Sequence, residues 1–388
     1  MHFEYLFCIL YYMKYIRTIG QSLKDNLGKK PIIVLYGARQ VGKTTLIKTI
    51  INDFQNPLYI AGDDPKDVLL LENRSGKELS SLIANHDIVI IDEAQKVENI
   101  GTVLKLIADN NPGIKLIATG SSSFELANKV SEPLTGRNRK FYLYPLSLKE
   151  VMNAYGILDT KKQIETYVLF GMYPQIVNAE SIQEKTLLVK ELVNDYLFKD
   201  LFLFGDIRNS FAFERLVRLL ALRVGSEVSY AKLAKEVGIN RHTVLTYVAL
   251  LEQSFIIFRL TPLYKNKTKE INKNHKIYFY DTGIRNALVG TMDSFDLRGD
   301  KGAVFENFFI AEKMKERAYE GRDTAVNFWR NRQGGEIDFV ESEGEKVFAY
   351  ECKWSDGASV PSLFAKMYQN ASFKYINIDN ILEHFNKL

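Results

Sequence analysis

Cysteine is scarce in this sequence of 388 residues, which contains only Cys8 and Cys352. Two cysteines cannot form the disulfide framework that stabilises many small secreted proteins. Proline, with nine residues, and glycine, with 24, are not enriched either, which argues against long disordered segments. The low thiol content fits a reducing compartment, and we therefore expect a cytoplasmic protein.

Long hydrophobic runs are also missing. The apolar stretch at the start, MHFEYLFCILYYMKY, is far shorter than the roughly 20 residues that cross a bilayer. No basic region precedes it and no small-residue cleavage site follows it, so it is a poor signal peptide. It is either a non-native extension over residues 1–12, with Met13 as the natural start, or a buried first helix. We expect no membrane partner.

The net charge is only +4, but it is unevenly distributed. Residues 211–275 contain eleven Lys and Arg against five Glu, a net +6, so the rest of the chain sums to about −2. A basic segment in a nearly neutral protein indicates a local site for a polyanion such as DNA or RNA. The alternative is a solvated helical surface.

Apolar runs of strand length alternate with helical patterns through residues 1–145. This alternation predicts an α/β fold with a mostly parallel sheet and helices on both faces. Ligands of such sheets bind at the carboxyl ends of the strands. The strand candidates are Ile32–Tyr36, Leu58–Ala61, Ile88–Asp92, Ile114–Thr119 and Lys140–Tyr144.

Three further segments follow this sheet. Residues 146–210 have helical spacing of apolar residues and read as a helical lid or linker. Residues 211–275 contain three helical patterns, a strand-like run and a polar, basic stretch. Residues 276–388 return to strands with one helix, Val304–Arg317, which predicts a mixed α/β domain.

A phosphate-binding motif, GARQVGKT, follows the first strand and precedes a helix from Lys43. Its glycines allow the backbone to fold around phosphates, and the helix N-terminus adds partial positive charge. Lys43 would reach the β- and γ-phosphates, and Thr44 would place a hydroxyl on Mg²⁺. The motif thus predicts ATP and Mg²⁺ as ligands. The expected contact residues are Gly37, Ala38, Arg39, Gln40, Val41, Gly42, Lys43, Thr44 and Thr45.

The run IVIIDEAQ predicts a buried strand that ends in two acidic residues, Asp92 and Glu93. Asp92 is placed to hold Mg²⁺, and Glu93 to orient or deprotonate the attacking water. This pair predicts hydrolysis of the bound nucleotide.

The next strand ends in a polar run with Thr119, Ser121 and Ser122. In a parallel sheet this end lies beside the acidic pair, where Ser121 would contact the γ-phosphate or the water; the alternative is a turn. Arg137 and Arg139 are candidates for contacting the nucleotide of a second copy, which would require a homo-oligomer. Their alternative role is in surface salt bridges.

The combination GARQVGKTT, IIDEAQ, ATGSSS, LTGR and YPLS resembles a prokaryotic family of AAA+ ATPases, over nearly the whole chain from Met13 onward. The resemblance implies a C-terminal domain of unknown function that is similar to PD-(D/E)XK nucleases. It supplies an expected architecture rather than a biological role.

The segment from Ser229 to Ile257 predicts a helix-turn-helix followed by a wing. Gly238 allows the turn, and Asn240 is placed to cap the second helix. The start of that helix would face nucleic acid. Winged helices also serve as protein-docking modules and spacers, so both readings stay open. The candidate nucleic-acid contacts are Lys235, Arg241, His242 and Thr243.

The C-terminal segment holds acidic and basic residues on neighbouring strands. Glu351 and Lys353 are two apart and share a face, and Asp338 lies on the preceding strand of a hairpin. Together these residues suit Mg²⁺-dependent phosphodiester cleavage, with Glu306 as an added ligand. The nuclease-like resemblance supports the same interpretation. A nuclease-like fold without activity is the alternative.

Three functions compete at this point. The first is an ATPase that acts on nucleic acid, and the second is an ATP-dependent signalling switch with an inert nuclease-like module. The third is a structural protein with vestigial ATP binding, against which Lys43, Asp92 and Glu93 argue together.

Overall fold

The computed structural model describes residues 15–121, 134–204, 207–263, 274–331, 333–355, 357 and 360–386. Residues 1–14, and with them the expected non-native extension, lie outside this range. So do Ser122 and most of the basic stretch after Pro262. Among the described residues, no helix is both long enough and apolar enough to span a bilayer.

The chain divides into two compact units, the first of which ends at Leu146 and also includes Gln253–Phe255. Its core is a parallel sheet of five strands in the order β2-β3-β4-β1-β5. The strands are β1 (Ile32–Tyr36), β2 (Pro57–Ala61), β3 (Ile88–Asp92), β4 (Lys115–Gly120) and β5 (Asn138–Tyr142). The helices are α1 (Ile19–Asn26), α2 (Lys43–Ile51), α3 (Pro65–Leu69), α4 (Gly76–Ile83) and α5 (Ile100–Asn110).

Strands β1 and β3 are buried along their whole length, as their continuous apolar sequences predict. Both match their predicted bounds. Strand β5 was predicted two residues too late, because the apolar run after it continues beyond the paired residues. Since β1 lies beside β4, and β4 beside β3, the carboxyl ends of these three strands meet at one edge of the sheet. The predicted α/β class with a parallel sheet is confirmed.

The second unit comprises Ser147–Glu252 and Ile256–Leu388. It contains a mixed sheet in the order β12-β11-β10-β9-β7-β8-β6. The strands are β6 (Glu227–Val228), β7 (Ile257–Pro262), β8 (His275–Phe279), β9 (Ala325–Arg330), β10 (Glu336–Glu343), β11 (Lys346–Cys352) and β12 (Ala371–Ile376).

The described residues of the second unit also form helices. Before the first strand come α6 (Leu148–Tyr155), α7 (Ile157–Phe170), α8 (Pro174–Asn178), α9 (Ile182–Leu192), a π-helical stretch (Val193–Asp200), α10 (Leu201–Phe204) and α11 (Ser210–Leu222). Later helices are α12 (Tyr230–Val237), α13 (Arg241–Gln253), α14 (Thr282–Val289), α15 (Lys301–Glu320), α16 (Ser362–Met367) and α17 (Ile381–Phe385). The expectation of one helix after residue 276 was therefore wrong, because α14, α16 and α17 are too short for a clear period.

The mixed sheet continues across the predicted division between residues 275 and 276. Strand β7 pairs with β8 on one side and, in parallel, with β9 on the other. Side chains from β8 can therefore lie beside those of the C-terminal strands.

Candidate functional site

The phosphate loop connects β1 to α2, and its two glycines, Gly37 and Gly42, are required for different reasons. Gly42 is the N-cap of α2 and has φ 96°, a left-handed conformation that favours glycine. At Gly37 the constraint is space, because a Cβ there would lie 2.3 Å from the carbonyl oxygen of Leu143. The sequence motif thus fixes both the turn and the close approach of the loop to the chain after β5.

Lys43 is buried at the first turn of α2. Its ammonium donates hydrogen bonds to the carbonyls of Gly37 (2.9 Å) and Ala38 (3.0 Å), and lies 3.8 Å from Oε1 of Glu93. Burial lowers the pKa of Lys43, and the carboxylates of Glu93 and Asp92 oppose this effect. The lysine therefore lies between the loop and the acidic pair, as its predicted role requires.

Asp92, at the end of β3, accepts hydrogen bonds from three hydroxyls. Thr44 Oγ1 lies 2.7 Å and Tyr59 Oη 2.6 Å from its Oδ2, while Thr119 donates to Oδ1. The prediction that the polar end of β4 meets the acidic pair is thus confirmed. Tyr59 was not predicted. It lies in the middle of β2, the neighbour of β3, and the only signal in the sequence was an aromatic residue within a strand candidate.

Glu93 has a backbone conformation that is uncommon for a residue with a side chain. Its φ is 48°, and its amide donates to Thr119 Oγ1 at 3.1 Å. Such left-handed residues concentrate at functional sites. Gly62 accommodates this turn, because a Cβ there would meet the Glu93 carbonyl oxygen at 2.4 Å.

Ser121 follows β4 and is buried. Its hydroxyl accepts a hydrogen bond of 3.0 Å from Nε2 of Gln95, which also donates to Glu93 Oε2 at 2.6 Å. Ser121 is thus in a hydrogen-bonded network with the acidic pair, although it also occupies a bend. Gln95 was not singled out in the sequence.

The remaining loop residues differ in exposure. Arg39 and Thr45 are half-buried, Gln40 is exposed with φ 63°, and Val41 is buried. The Val41 carbonyl accepts a hydrogen bond of 2.6 Å from the guanidinium of Arg17, which also donates to the Tyr144 carbonyl. Arg17, just before α1, thus supports the loop from outside the motif.

Arg137 lies away from the phosphate loop of its own chain. Its carbonyl accepts from the amide of Ile32, at the start of β1, whereas the loop follows the end of that strand. Its side chain forms an ion pair with Asp109, with Nε 2.8 Å from Oδ1. Arg137 and the phosphate loop therefore lie at opposite edges of the sheet, and Arg137 is not at the nucleotide site of its own chain. Its action on a second copy stays a prediction.

Helices α12 and α13 have the predicted local structure. Gly238 has φ 80° at the C-terminus of α12, and Asn240 Oδ1 accepts from the amide of Thr243 at 2.8 Å. Lys235, Arg241 and His242 are exposed, and Thr243 is half-buried. The turn and the cap are confirmed.

The predicted C-terminal residues converge on an acidic cluster that we define as Glu306, Glu336, Asp338 and Glu351. Asp338 lies at a β-bulge in β10 and accepts from the amide of Cys352 at 2.9 Å. Lys353 contacts Glu351, with Nζ 2.7 Å from Oε1. Burial raises the pKa values of Asp338 and Glu351, and each is raised further by a neighbouring carboxylate, Glu306 for Asp338 and Asp338 for Glu351.

Lys276, which was not predicted as a site residue, contributes a buried ammonium to the acidic cluster. Its Nζ lies 2.6 Å from Glu336 Oε1, 3.3 Å from Glu306 Oε1 and 3.7 Å from Asp338 Oδ1. Tyr278, two residues further along β8, donates to Glu306 at 2.6 Å. Within the described ranges, no three His, Cys, Asp or Glu side chains are arranged to hold a metal ion. Of the predicted residues, Glu306 and Asp338 thus contact the ammonium of Lys276, whereas Glu351 contacts that of Lys353.

Three family models match successive parts of the chain. Residues 29–152 match a family described as an AAA domain. Residues 161–294 match a domain of unknown function, DUF8612, and residues 301–377 match another, DUF4143. With the AAA match, the parallel sheet and the phosphate loop, the first unit resembles an AAA-type P-loop ATPase domain. The matches at 161–294 and 301–377 assign no activity, so the nuclease-like resemblance stays a prediction.

Two relatives extend over most of the chain. Uncharacterized protein Rv2008c of Mycobacterium tuberculosis is 26% identical over 355 residues, covering 90% of this chain and 76% of the relative. Uncharacterized protein MJ1544 of Methanocaldococcus jannaschii is 26% identical over 391 residues, covering 95% of this chain and 84% of that relative. Among solved structures, a Walker-type ATPase of Pyrococcus abyssi aligns with a TM-score of 0.48 and 16% identity, covering 70% of this chain and 94% of that one.

Proposed function

We propose that the chain binds ATP with Mg²⁺ at the phosphate loop, hydrolyses it, and uses the ATP cycle to act on nucleic acid held by the second unit. One observation carries the first part of the proposal. Lys43, Thr44, Asp92 and Glu93 come from two separate motifs and lie within contact distance at the carboxyl edge of one sheet.

The residues at this edge fit a magnesium ion. Thr44 Oγ1 and Asp92 Oδ2 are 2.7 Å apart, and oxygen donors of this kind are the ligands that Mg²⁺ prefers. Bound there, Mg²⁺ supplies positive charge to the phosphates during phosphoryl transfer. Lys43 binds the phosphates as a second positive charge, and Glu93 orients the attacking water and accepts its proton.

The second unit supports the nucleic-acid part of the proposal. Helix α11, the short strand β6, helices α12 and α13 and the β7–β8 hairpin follow the order of elements in a winged helix. We infer that α13 is its recognition helix, since Arg241 and His242 are exposed at the start of that helix. Lys235 on α12 adds charge for the phosphate backbone.

Hydrolysis measured with and without DNA and RNA tests the whole proposal. We expect Mg²⁺-dependent release of phosphate whose rate changes when nucleic acid is added. No release under any of these conditions would contradict the ATPase itself. Hydrolysis by a protein that binds no nucleic acid at low salt would instead favour the alternative, an ATP-dependent switch that binds a protein partner.

A matched pair of variants tests the nucleic-acid surface. Lys235→Ala with Arg241→Ala should weaken binding to nucleic acids of any sequence. The pair should also lower the slope of the logarithm of the binding constant against the logarithm of salt concentration, by about one for each lost phosphate contact. Lys161→Ala with Lys162→Ala removes the same charge from exposed positions on α7 and should leave binding unchanged. Equal weakening by both pairs would show a net-charge effect rather than a site.

A second candidate function is cleavage of phosphodiester bonds at the acidic cluster. It is favoured by the approach of Asp338, Glu351 and Lys353, and by Oε2 of Glu351, which is buried and accepts no hydrogen bond from the described residues. We expect Asp338→Ala to abolish any cleavage that depends on Mg²⁺ or Mn²⁺ without lowering ATP binding. No cleavage under any metal or ATP condition would leave a binding module with a nuclease-like fold.

A further inference from the structure

Gln95 bridges the acidic pair at the end of β3 and the polar end of β4. Its side-chain nitrogen lies 2.6 Å from Glu93 Oε2 and 3.0 Å from Ser121 Oγ. The residue is only 5% exposed, although glutamine is mostly a surface residue. A buried amide that links two functional candidates therefore requires an explanation.

The chemistry of the three groups fixes the direction of the bridge. A carboxylate only accepts hydrogen bonds, so the amide nitrogen and not the amide oxygen must face Glu93. The nitrogen carries two hydrogens, which allows one hydrogen bond to Glu93 and one to the Ser121 oxygen. Ser121 accepts through its oxygen and thus keeps its own hydrogen available for a third group.

The backbone holds the bridge in place. Glu93 is in a left-handed conformation, and residues Ala94–Lys96 form a 3₁₀ turn directly after it. This turn brings the side chains of Glu93 and Gln95 within hydrogen-bonding distance. The amide of Glu93 is meanwhile fixed to Thr119 on β4. The orientation of the Glu93 carboxylate is therefore linked to β4 through both its backbone and its side chain.

We propose that Gln95 is a positioning residue that connects Ser121 to Glu93, so that contact of Ser121 with the γ-phosphate sets the orientation of the Glu93 carboxylate. The inference rests on the proposed ATP hydrolysis. In this arrangement Ser121 donates its hydrogen to the phosphate while it accepts from Gln95, and Gln95 holds the carboxylate where it meets the water. Gln95 itself touches neither nucleotide nor water.

Nucleotide binding and single-turnover hydrolysis of Gln95→Leu and Ser121→Ala, alone and combined, test this proposal. Gln95→Leu should lower the hydrolysis rate by about 100-fold, the effect of a misplaced catalytic group. The dissociation constant for Mg–ATP should change less than about 3-fold, since Lys43 and Thr44 remain. Gln21→Leu is the matched control, because exposed Gln21 also donates to a carboxylate, Asp25, at 2.8 Å.

The double variant separates a connection from two independent effects. If Gln95 links Ser121 to Glu93, Ser121→Ala should slow the wild type but have no further effect in the Gln95→Leu background. Ser121→Ala removes a single oxygen, so it still gives a result if Gln95→Leu fails to fold. Wild-type turnover in either single variant, or fully additive losses, would overturn the proposal. Absence of hydrolysis in the wild-type protein would instead overturn the proposed function, and this inference with it.

Discussion

Thr44 donates a hydrogen bond of 2.7 Å to Asp92, which lies 48 residues further along the chain. The contact joins the start of α2 to the end of β3 and brings the phosphate-binding motif to the acidic pair. Because two independent motifs meet here, the contact argues for a working nucleotide site rather than for a fortuitous glycine-rich turn.

Lys43→Ala should abolish ATP binding or weaken it severely, because Lys43 supplies the positive charge that faces the phosphates. Lys48→Ala is the matched control, since Lys48 is an exposed lysine on the same helix. Titration with a fluorescent ATP analogue measures both variants. If the two variants bind ATP equally well, the assignment of Lys43 is wrong.

Gly37→Ala should destabilise the first unit and remove nucleotide binding. The added Cβ would lie 2.3 Å from the backbone carbonyl oxygen of Leu143, which cannot move aside as a flexible side chain could. Gly302→Ala is the control, because a Cβ at that helical position meets no atom within 4 Å. Calorimetry should show a lower melting temperature only for Gly37→Ala, and the control should gain up to about 1 kcal/mol in helix propensity. Equal melting temperatures of the two variants would contradict the close approach of Gly37 to Leu143.

Much of the first unit could be predicted because its signals are local. Short apolar runs gave β1 and β3 their bounds, and the spacing of the loop residues placed Lys43 and Thr44. Tyr59 and Gln95 escaped prediction because their roles depend on which strands are neighbours. The prediction that Arg137 acts on a second copy is untouched by its distance from the loop of its own chain.

The acidic cluster shows the same limit more clearly. Asp338, Glu351 and Lys353 could be placed together from a hairpin and a period of two. Lys276 lies on β8, at the very start of the predicted C-terminal segment, and it reaches the cluster only through the folding of the mixed sheet. The one local signal was a lysine and a tyrosine, Lys276 and Tyr278, on the same face of an apolar strand.

Lys276→Met should destabilise the second unit by about 3–5 kcal/mol, because it leaves buried carboxylates without their counter-charge. Lys346→Met, at an exposed position on β11, should have little effect. Adding Asp338→Asn to Lys276→Met should recover part of the loss, since one uncompensated charge is removed. Chemical denaturation measures all of these free energies, and equal stability of both single variants would contradict the role of Lys276.

The pH dependence of stability should include a contribution from Asp338. Burial and Glu306 raise its pKa in the folded protein, so the folded state binds this proton more tightly than the unfolded chain. The resulting stability is present below the ordinary carboxyl pKa of about 4 and is lost as the pH rises above that value. Without divalent ions, Asp338→Asn should flatten the melting temperature between about pH 4 and pH 7, the interval between the ordinary carboxyl pKa and the raised pKa of Asp338. An unchanged profile would show that Asp338 is not the responsible group.

The most direct test of the ATPase assignment is single-turnover hydrolysis by Glu93→Gln, with Glu98→Gln as a control at an exposed position nearby. Glu93→Gln retains Lys43, Thr44 and Asp92, so it should bind Mg–ATP as the wild type does. It should release phosphate at least about 100-fold more slowly, because the group that accepts the proton of water is gone. Glu98→Gln should behave as the wild type. Phosphate release by Glu93→Gln at the wild-type rate would contradict the account.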